Sequence, residues 1–245
     1  MIEVCLDYVD RRVARKREME LELPDKSVRL VADRLAVKLF ERLKMDYEVK
    51  NYYKTVYHST DKALYVPCDD EFECGIEHKG AWFNLPDWNK KYDDTTQFLR
   101  ENGAYYHFTR VDLAFTTTEN LFSLVKKIDF KNLLIKSYER KGELENITGE
   151  NSRIGIVFYD KTKQLKKVKN QDYLNNFRQK YPQPQVYRFE IRLKGKDTLE
   201  KLGSLYSEKI HLKEVAKEIL EATEKRVVLP RKLKKKLWEA VNAIK

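Results

Sequence analysis

In Thr109-Arg110-Val111-Asp112-Leu113-Ala114-Phe115, polar and apolar side chains alternate from Arg110 to Leu113, with β-branched and aromatic residues prominent. That is the period of a β-strand, whose successive side chains point to opposite faces. Arg110 and Asp112 then share one face, while Val111, Leu113 and Phe115 share the other. Two further stretches read the same way. In Tyr187-Arg188-Phe189-Glu190-Ile191-Arg192, the residues Arg188, Glu190 and Arg192 share a face, backed by Phe189, Ile191 and Leu193. In Phe158-Tyr159-Asp160-Lys161, Tyr159 and Lys161 lie opposite Ile154, Ile156, Phe158 and Asp160. If the three strands join one sheet, a phenol, an acid pair, several arginines and a lysine converge on its polar side. Such a surface suits a divalent ion and a phosphodiester beside a nucleophile.

Outward from these strands, Ile2 to Val9 alternates as another strand. Asp25, after Pro24, reads as the N-cap of a helix over about 25–45, with Val28, Val31, Leu35, Leu39 and Leu43 at helical spacing. Residues 47–85 read as short strands rich in tyrosine and valine, with turns at Ser59-Thr60-Asp61 and Pro67-Cys68-Asp69-Asp70. A short helix near 93–101 stops at Gly103. The pattern then repeats. His107 to Thr116 is a strand, and a capping box from Thr116 to Glu119 precedes a helix from Leu121 to Ile128. Strands near 134–141 and 153–161 flank a polar loop, Gly142 to Ser152. A helix near 170–180, closed by Pro182 and Pro184, leads to the strand 185–194. The fold class is α+β: two pseudo-repeated strand–helix–strands units, halves 1–103 and 104–195, forming a largely antiparallel sheet with helices on one face. From Lys196 the chain reads as helical, over about 197–208, 211–226 and the basic amphipathic stretch Arg231-Lys232-Leu233-Lys234-Lys235-Lys236-Leu237-Trp238. Residues 196–245 thus form a helical segment after an α+β domain at 1–195.

Forty-nine lysines and arginines against 39 acids leave the 245-residue chain at +10, an electrostatic footprint for a polyanion such as nucleic acid. The abundance of both signs also fits the surface of a heat-adapted protein. No apolar run is long enough to cross a membrane and no secretory leader is evident, so a cytoplasmic location is expected. Three cysteines fit a reducing compartment. Cys68, Cys74 and His78 match no common zinc spacing and read as ordinary thiols and an ordinary imidazole. Eight glycines form neither a Walker loop nor a dinucleotide fingerprint, which disfavours nucleotide-driven chemistry.

Gly80-Ala81-Trp82-Phe83-Asn84-Leu85, then the Arg-x-Asp strand, Tyr159-Asp160-Lys161, and Arg188-Phe189-Glu190-Ile191-Arg192-Leu193-Lys194 follow in an order that resembles the rolling-circle replication initiators of the Rep_trans type. These occur on small plasmids and some phages and are related to conjugative relaxases. The resemblance covers about residues 80–195. It implies a nicking and joining enzyme acting on a DNA origin hairpin or single-stranded nick site, with a homodimer and a helicase among the implied partners. It makes Tyr159 the nucleophile, and Asp112 and Glu190 the holders of a divalent cation, Mg2+ or Mn2+. Two positions depart from the pattern: Thr116 and Gln164 stand where family members often carry further acids.

The chemistry suits these residue types. Cutting and rejoining a strand without nucleotide input needs a nucleophile that keeps the bond energy in a covalent link, as a tyrosine does. Lys161 on the same face would favour the phenolate, and Arg110, Arg188 and Arg192 would clamp phosphates bidentately. Arg231, Lys232, Lys234 and Lys235 offer a phosphate-binding helix face, and the segment Arg11 to Arg17 a second basic stretch. The bland alternatives are cross-strand ion pairs on a solvated sheet face for the acids and arginines, and packing anchors for Trp82 and Trp88. Three functions compete: replication initiator, relaxase of a conjugative element, and a non-catalytic DNA-binding regulator on the same fold.

Overall fold

A computed structural model describes residues 2–15, 26–51, 54–68, 73–131, 133–140, 143–166, 171–206 and 210–244. The elements run β1 (Ile2–Arg15), α1 (Lys26–Leu43), β2 (Tyr47–Asn51), β3 (Thr55–Ser59), β4 (Leu64–Cys68), β5 (Glu73–Lys79), α2 (Trp88–Glu101), β6 (Ala104–Thr117), α3 (Phe122–Val125), β7 (Leu134–Arg140), β8 (Glu143–Glu150), β9 (Ile154–Asp160), α4 (Lys161–Leu165), α5 (Gln171–Lys180), β10 (Tyr187–Lys194), α6 (Lys196–Leu199), α7 (Leu212–Glu224) and α8 (Arg231–Asn242). Ten strands form an antiparallel sheet hydrogen-bonded in the order β2-β3-β4-β5-β1-β6-β10-β9-β8-β7.

The chain divides into two compact units. One comprises Leu6–Val111 and Gly195–His211. Its core is built on the stripe Ala32, Leu35, Ala36, Leu39, Phe40 and Leu43 of α1, which packs with Val13, Leu64, Val66, Ile76 and the α2 residues Phe98 and Leu99. Spacing of three and four residues is what puts those side chains on a single helix face. Asp25, the expected cap of this helix, lies outside the described residues. Phe40 is fully buried. Truncating it to alanine leaves a cavity, and the expected loss is about 3–5 kcal/mol, read from urea unfolding as a lower midpoint at unchanged slope.

The other unit comprises Met1–Cys5, Asp112–Lys194 and Leu212–Lys245. Here β10 lies between β6 and β9, so the three strands singled out in the sequence are neighbours. Antiparallel pairing sets Arg188 opposite Tyr159, Phe189 opposite Phe158 and Ile191 opposite Ile156. Leu113, Phe115, Ile154, Ile156, Phe158, Phe189, Ile191 and Leu193 are all buried on the apolar side. Phe122 of α3 closes edge-on against Phe158, ring centroids 4.6 Å apart. α8 buries Leu233, Leu237, Ala240 and Val241, and α7 buries Val215, Ala216, Ile219 and Leu220. Across the two helices, Trp238 Nε1 donates to Glu224 Oε1 at 2.7 Å and Lys234 Nζ to Glu224 Oε2 at 2.8 Å.

Several sequence expectations are corrected. The polar stretch 143–150 is a strand, not a loop, paired with both β7 and β9. Gly149 within it makes room for the buried ring of Phe130: a Cβ at that position would lie 2.3 Å from the ring. Gly149→Ala should therefore destabilise the protein by about 1–3 kcal/mol, measured by thermal or urea unfolding. The expected capping box does not form, because Thr116 and Thr117 remain in β6. Instead Thr117 Oγ1 accepts from the Glu119 amide and Asn120 Oδ1 from the Phe122 amide, and the helix that follows has only four residues. Where a helix over 197–208 was expected, the described residues form two short turns, Lys196–Leu199 and a 3-10 turn at Gly203–Tyr206, entered through Gly195 at φ +83°. Among the described residues no helix is long and apolar enough to cross a membrane.

Candidate functional site

The polar face of β6-β10-β9 brings together Tyr159, Glu190, Arg192 and Asp112. Tyr159 is half-buried near the end of β9, and its hydroxyl donates to Glu190 Oε1 at 2.6 Å. Arg192, two residues along β10 on the same face, donates from Nη2 to Glu190 Oε2 at 2.7 Å and from Nε at 3.2 Å. Its Nε also lies 3.6 Å from Asp112 Oδ2. One guanidinium thus touches both carboxylates, and one of those carboxylates holds the phenol. Asp112 and Glu190 are only 2% and 3% exposed. Buried carboxylates need such partners, since an isolated buried charge is costly.

Two more cations flank this cluster. Arg188 stands directly opposite Tyr159 in the strand register. Its Nε donates to Thr116 Oγ1 at 3.4 Å, and its Nη2 approaches Cys5 Sγ at 3.8 Å. Tyr181 donates to Glu3, and burial, with Glu3 next in effect, pushes its pKa up. Lys161 is placed differently from the sequence expectation. β9 ends at Asp160, whose Oδ1 caps α4 by accepting from the Lys163 amide at 3.0 Å. Lys161 is therefore the first residue of that helix rather than a strand residue; it is buried, and its Nζ donates to Gln164 Oε1 at 2.8 Å. Its ammonium lies 5.8 Å from the centre of the Tyr159 ring. Sequence reasoning missed both the Tyr159–Glu190 bond and the Lys161–Gln164 pair. The second had a signal in the three-residue spacing, which places both on one helix face.

Arg110 belongs to the other unit, where its guanidinium lies 4.5 Å above the Tyr8 ring. On α8, Lys234 is engaged with Glu224, and Lys235 forms an exposed pair with Glu239 at 3.7 Å. Arg231 and Lys232 are exposed at the start of that helix. Trp82 is fully buried and Trp88 packs edge-on against Phe83, so both are packing residues. Cys68 and Cys74 are buried opposite one another in the β4–β5 register. Lys16 and Arg17, at the end of the second basic stretch, lie outside the described residues.

Among the described residues, no three His, Cys, Asp or Glu side chains gather to hold a metal ion. Asp112 and Glu190 nevertheless supply hard carboxylate oxygens, and magnesium is commonly held by one or two carboxylates together with substrate phosphates rather than by an all-protein cage. The donor set fits such an ion in kind. Thr116 and Gln164 add no further acid, since they engage Arg188 and Lys161.

An α+β protein with a long antiparallel sheet, one face of which carries a tyrosine, two carboxylates and an arginine linking them, is thereby defined. The same fold is found in the rolling circle replication initiator protein from Geobacillus stearothermophilus, with a TM-score of 0.55 at 14% identity, covering 100% of this chain and 97% of that one. Heterotetrameric sarcosine oxidase from Corynebacterium sp. U-96 aligns over 91% of this chain and 85% of that chain at 10% identity, but its TM-score of 0.22 carries no weight. No protein-family model matches the sequence, and no curated protein matches it.

Proposed function

We propose that this protein initiates rolling-circle replication of a plasmid or phage by nicking one DNA strand at the origin through Tyr159, and later rejoins the ends. The observation that carries this reading is the 2.6 Å bond from the Tyr159 hydroxyl to Glu190, on a fold shared with a rolling-circle initiator. A phenol attacks phosphorus only as its proton departs, and Glu190 is the base within reach of that proton. The phenolate oxygen bonds to phosphorus, the bond from phosphorus to the 3′ oxygen breaks, and the departing oxygen takes a proton from water, whose hydroxide is neutralised by the proton that Glu190 took from the phenol. The products are a 5′-phosphotyrosine and a free 3′-OH. Rejoining reverses the steps, with the 3′-OH attacking and the proton returning to Tyr159.

The cluster sets three cations, Arg188, Arg192 and Lys161, against the carboxylates Asp112 and Glu190. That charge balance favours a phosphodiester entering the site, and Arg192 is placed to turn its fork from carboxylate to phosphate. A divalent ion, Mg2+ or Mn2+, would be held by Asp112 and Glu190 and would polarise a non-bridging phosphate oxygen. Arg231, Lys232 and Lys235 on α8, with Arg110, are the DNA-backbone contacts in this reading. A Lys232→Glu, Lys235→Glu double variant should weaken DNA binding and flatten its salt dependence by about two phosphate contacts, measured by fluorescence anisotropy across a salt series.

The direct test incubates the protein with supercoiled plasmid carrying its own origin and magnesium. Open-circular DNA, with a protein–DNA band that survives detergent, is the expected outcome. A second reading, a DNA-binding regulator without catalysis, draws on the Arg192 guanidinium already held by both carboxylates. It predicts origin binding with neither product.

A further inference from the structure

Cys68 ends β4 and Cys74 is the second residue of β5, and the antiparallel register sets them directly opposite one another. Opposed residues on antiparallel strands are of two kinds, which alternate along the ladder: one exchanges backbone hydrogen bonds and the other does not. The Lys79 amide donates to the Ala63 carbonyl at 2.8 Å, which makes Ala63 and Lys79 a hydrogen-bonded pair. Leu64 then faces His78, Tyr65 faces Glu77, and the same register holds as far as Cys68 and Cys74. Cys68 lies an odd number of steps from Ala63, so the cysteines occupy a pair that exchanges no backbone hydrogen bonds. Such pairs bring their Cα atoms to about 4.5 Å and their side chains closer together than in the other kind. That spacing falls within the range over which two cysteines can be bridged. Beside the pair, a Cβ on Gly75 would lie 3.0 Å from Pro67 Cγ, so the strands stay closely opposed at this end.

Both cysteines lie on the inner face of the sheet with Val66 and Ile76, in the core built on α1, and both are thiols. Cys74 is 2% exposed and Cys68, at the strand end, 7%, so a small oxidant meets Cys68 first. We propose that Cys68 and Cys74 are a modification site, closing into a reversible cross-strand disulfide on exposure to hydrogen peroxide. The Cys68 thiolate attacks one peroxide oxygen, the O–O bond breaks, and the departing hydroxide takes the thiol's proton to become water. The resulting sulfenic acid is attacked at sulfur by the Cys74 thiolate, and its hydroxyl leaves with the Cys74 proton as a second water. Two thiols are oxidised to one disulfide and one peroxide is reduced to two waters. A dithiol reductant restores both thiols. Transient, redox-responsive bonds are the usual form of a disulfide in a reducing compartment. This bond joins strands that are already paired, so it takes freedom from the unfolded chain and little from the folded one.

The test treats the wild-type protein with hydrogen peroxide, alkylates the remaining thiols under denaturing conditions, digests with trypsin and weighs the peptides. No lysine or arginine separates the two cysteines, so the tryptic peptide Ala63–Lys79 carries both. The expected result is that this peptide resists alkylation and is lighter than its reduced form by two hydrogens. The melting midpoint should rise by about 5 °C and fall back when dithiothreitol is added. Cys68→Ala and Cys74→Ala should each lose that rise, whatever their own starting midpoint. Two alkylated cysteines, after a treatment that has oxidised the half-buried Cys5, overturn the proposal. So does sulfinic acid at either position in place of the link, or a linked peptide in a protein that melts no higher than the reduced one.

Discussion

On the proposed function, replacing Tyr159 with phenylalanine is expected to remove nicking and the covalent DNA adduct together, a fall of at least about 10⁴-fold in cleavage rate, the scale seen when a covalent nucleophile is deleted. The ring is half-buried and its packing survives the change, so folding and origin affinity stay near the wild-type level. Only the hydroxyl that bonds Glu190 is lost. Cleavage is followed on a supercoiled plasmid by gel, and affinity by anisotropy on the uncut origin hairpin. A variant that still nicks at more than a few per cent of the wild-type rate would move the nucleophile elsewhere among the fifteen tyrosines.

Glu190→Gln is expected to have the second largest effect. Glutamine keeps the shape and can still accept a hydrogen bond from the phenol, but it cannot take the proton. The expected fall in single-turnover cleavage is about 10²- to 10⁴-fold, the usual contribution of a positioned general base. The substitution also takes from Arg192 its closest acidic partner, leaving Asp112 at 3.6 Å and the charge of Glu150, so circular dichroism must accompany the rate measurement. A variant that folds, binds DNA within about threefold of wild type and cleaves slowly supports the base role. A variant that folds and cleaves at the wild-type rate rules it out.

The three decisive strands were legible because each sets alternate apolar residues on a face that has one place to go, although Ala114 and Val157 are buried on the other face. Phe115, Phe158 and Phe189 could be buried only by turning the charged residues to the opposite side. β8 was not legible, because its glutamates, Asn146 and Gly149 carry weak strand preference and its place is fixed by neighbours on both sides and by Phe130 filling the glycine gap. A period of two also fails where a strand shifts phase. Phe108 and Val111 are both buried, with the half-exposed Thr109 and Arg110 between them, and Leu6 and Val9 repeat that spacing around Asp7 and Tyr8 in β1. The shift in β1 puts Arg11 on the inner face, where composition alone suggested a solvent-exposed DNA contact. At the site, strand alternation put Tyr159, Glu190 and Arg192 on one face, but it also put Lys161 there, which opens a helix instead. It could not show that Arg192 spans two carboxylates, because that depends on side-chain reach across strands. Nor could it show that Lys161 opens a helix, because the cap that turns the chain is the neighbouring Asp160.

Mass spectrometry of the trapped protein–DNA complex tests the central claim most directly. After cleavage of origin DNA, digestion with nuclease and protease should leave a single phosphorylated or nucleotide-bearing peptide, modified at Tyr159. A modification on any other residue, or complete nicking with no covalent peptide, would contradict the account.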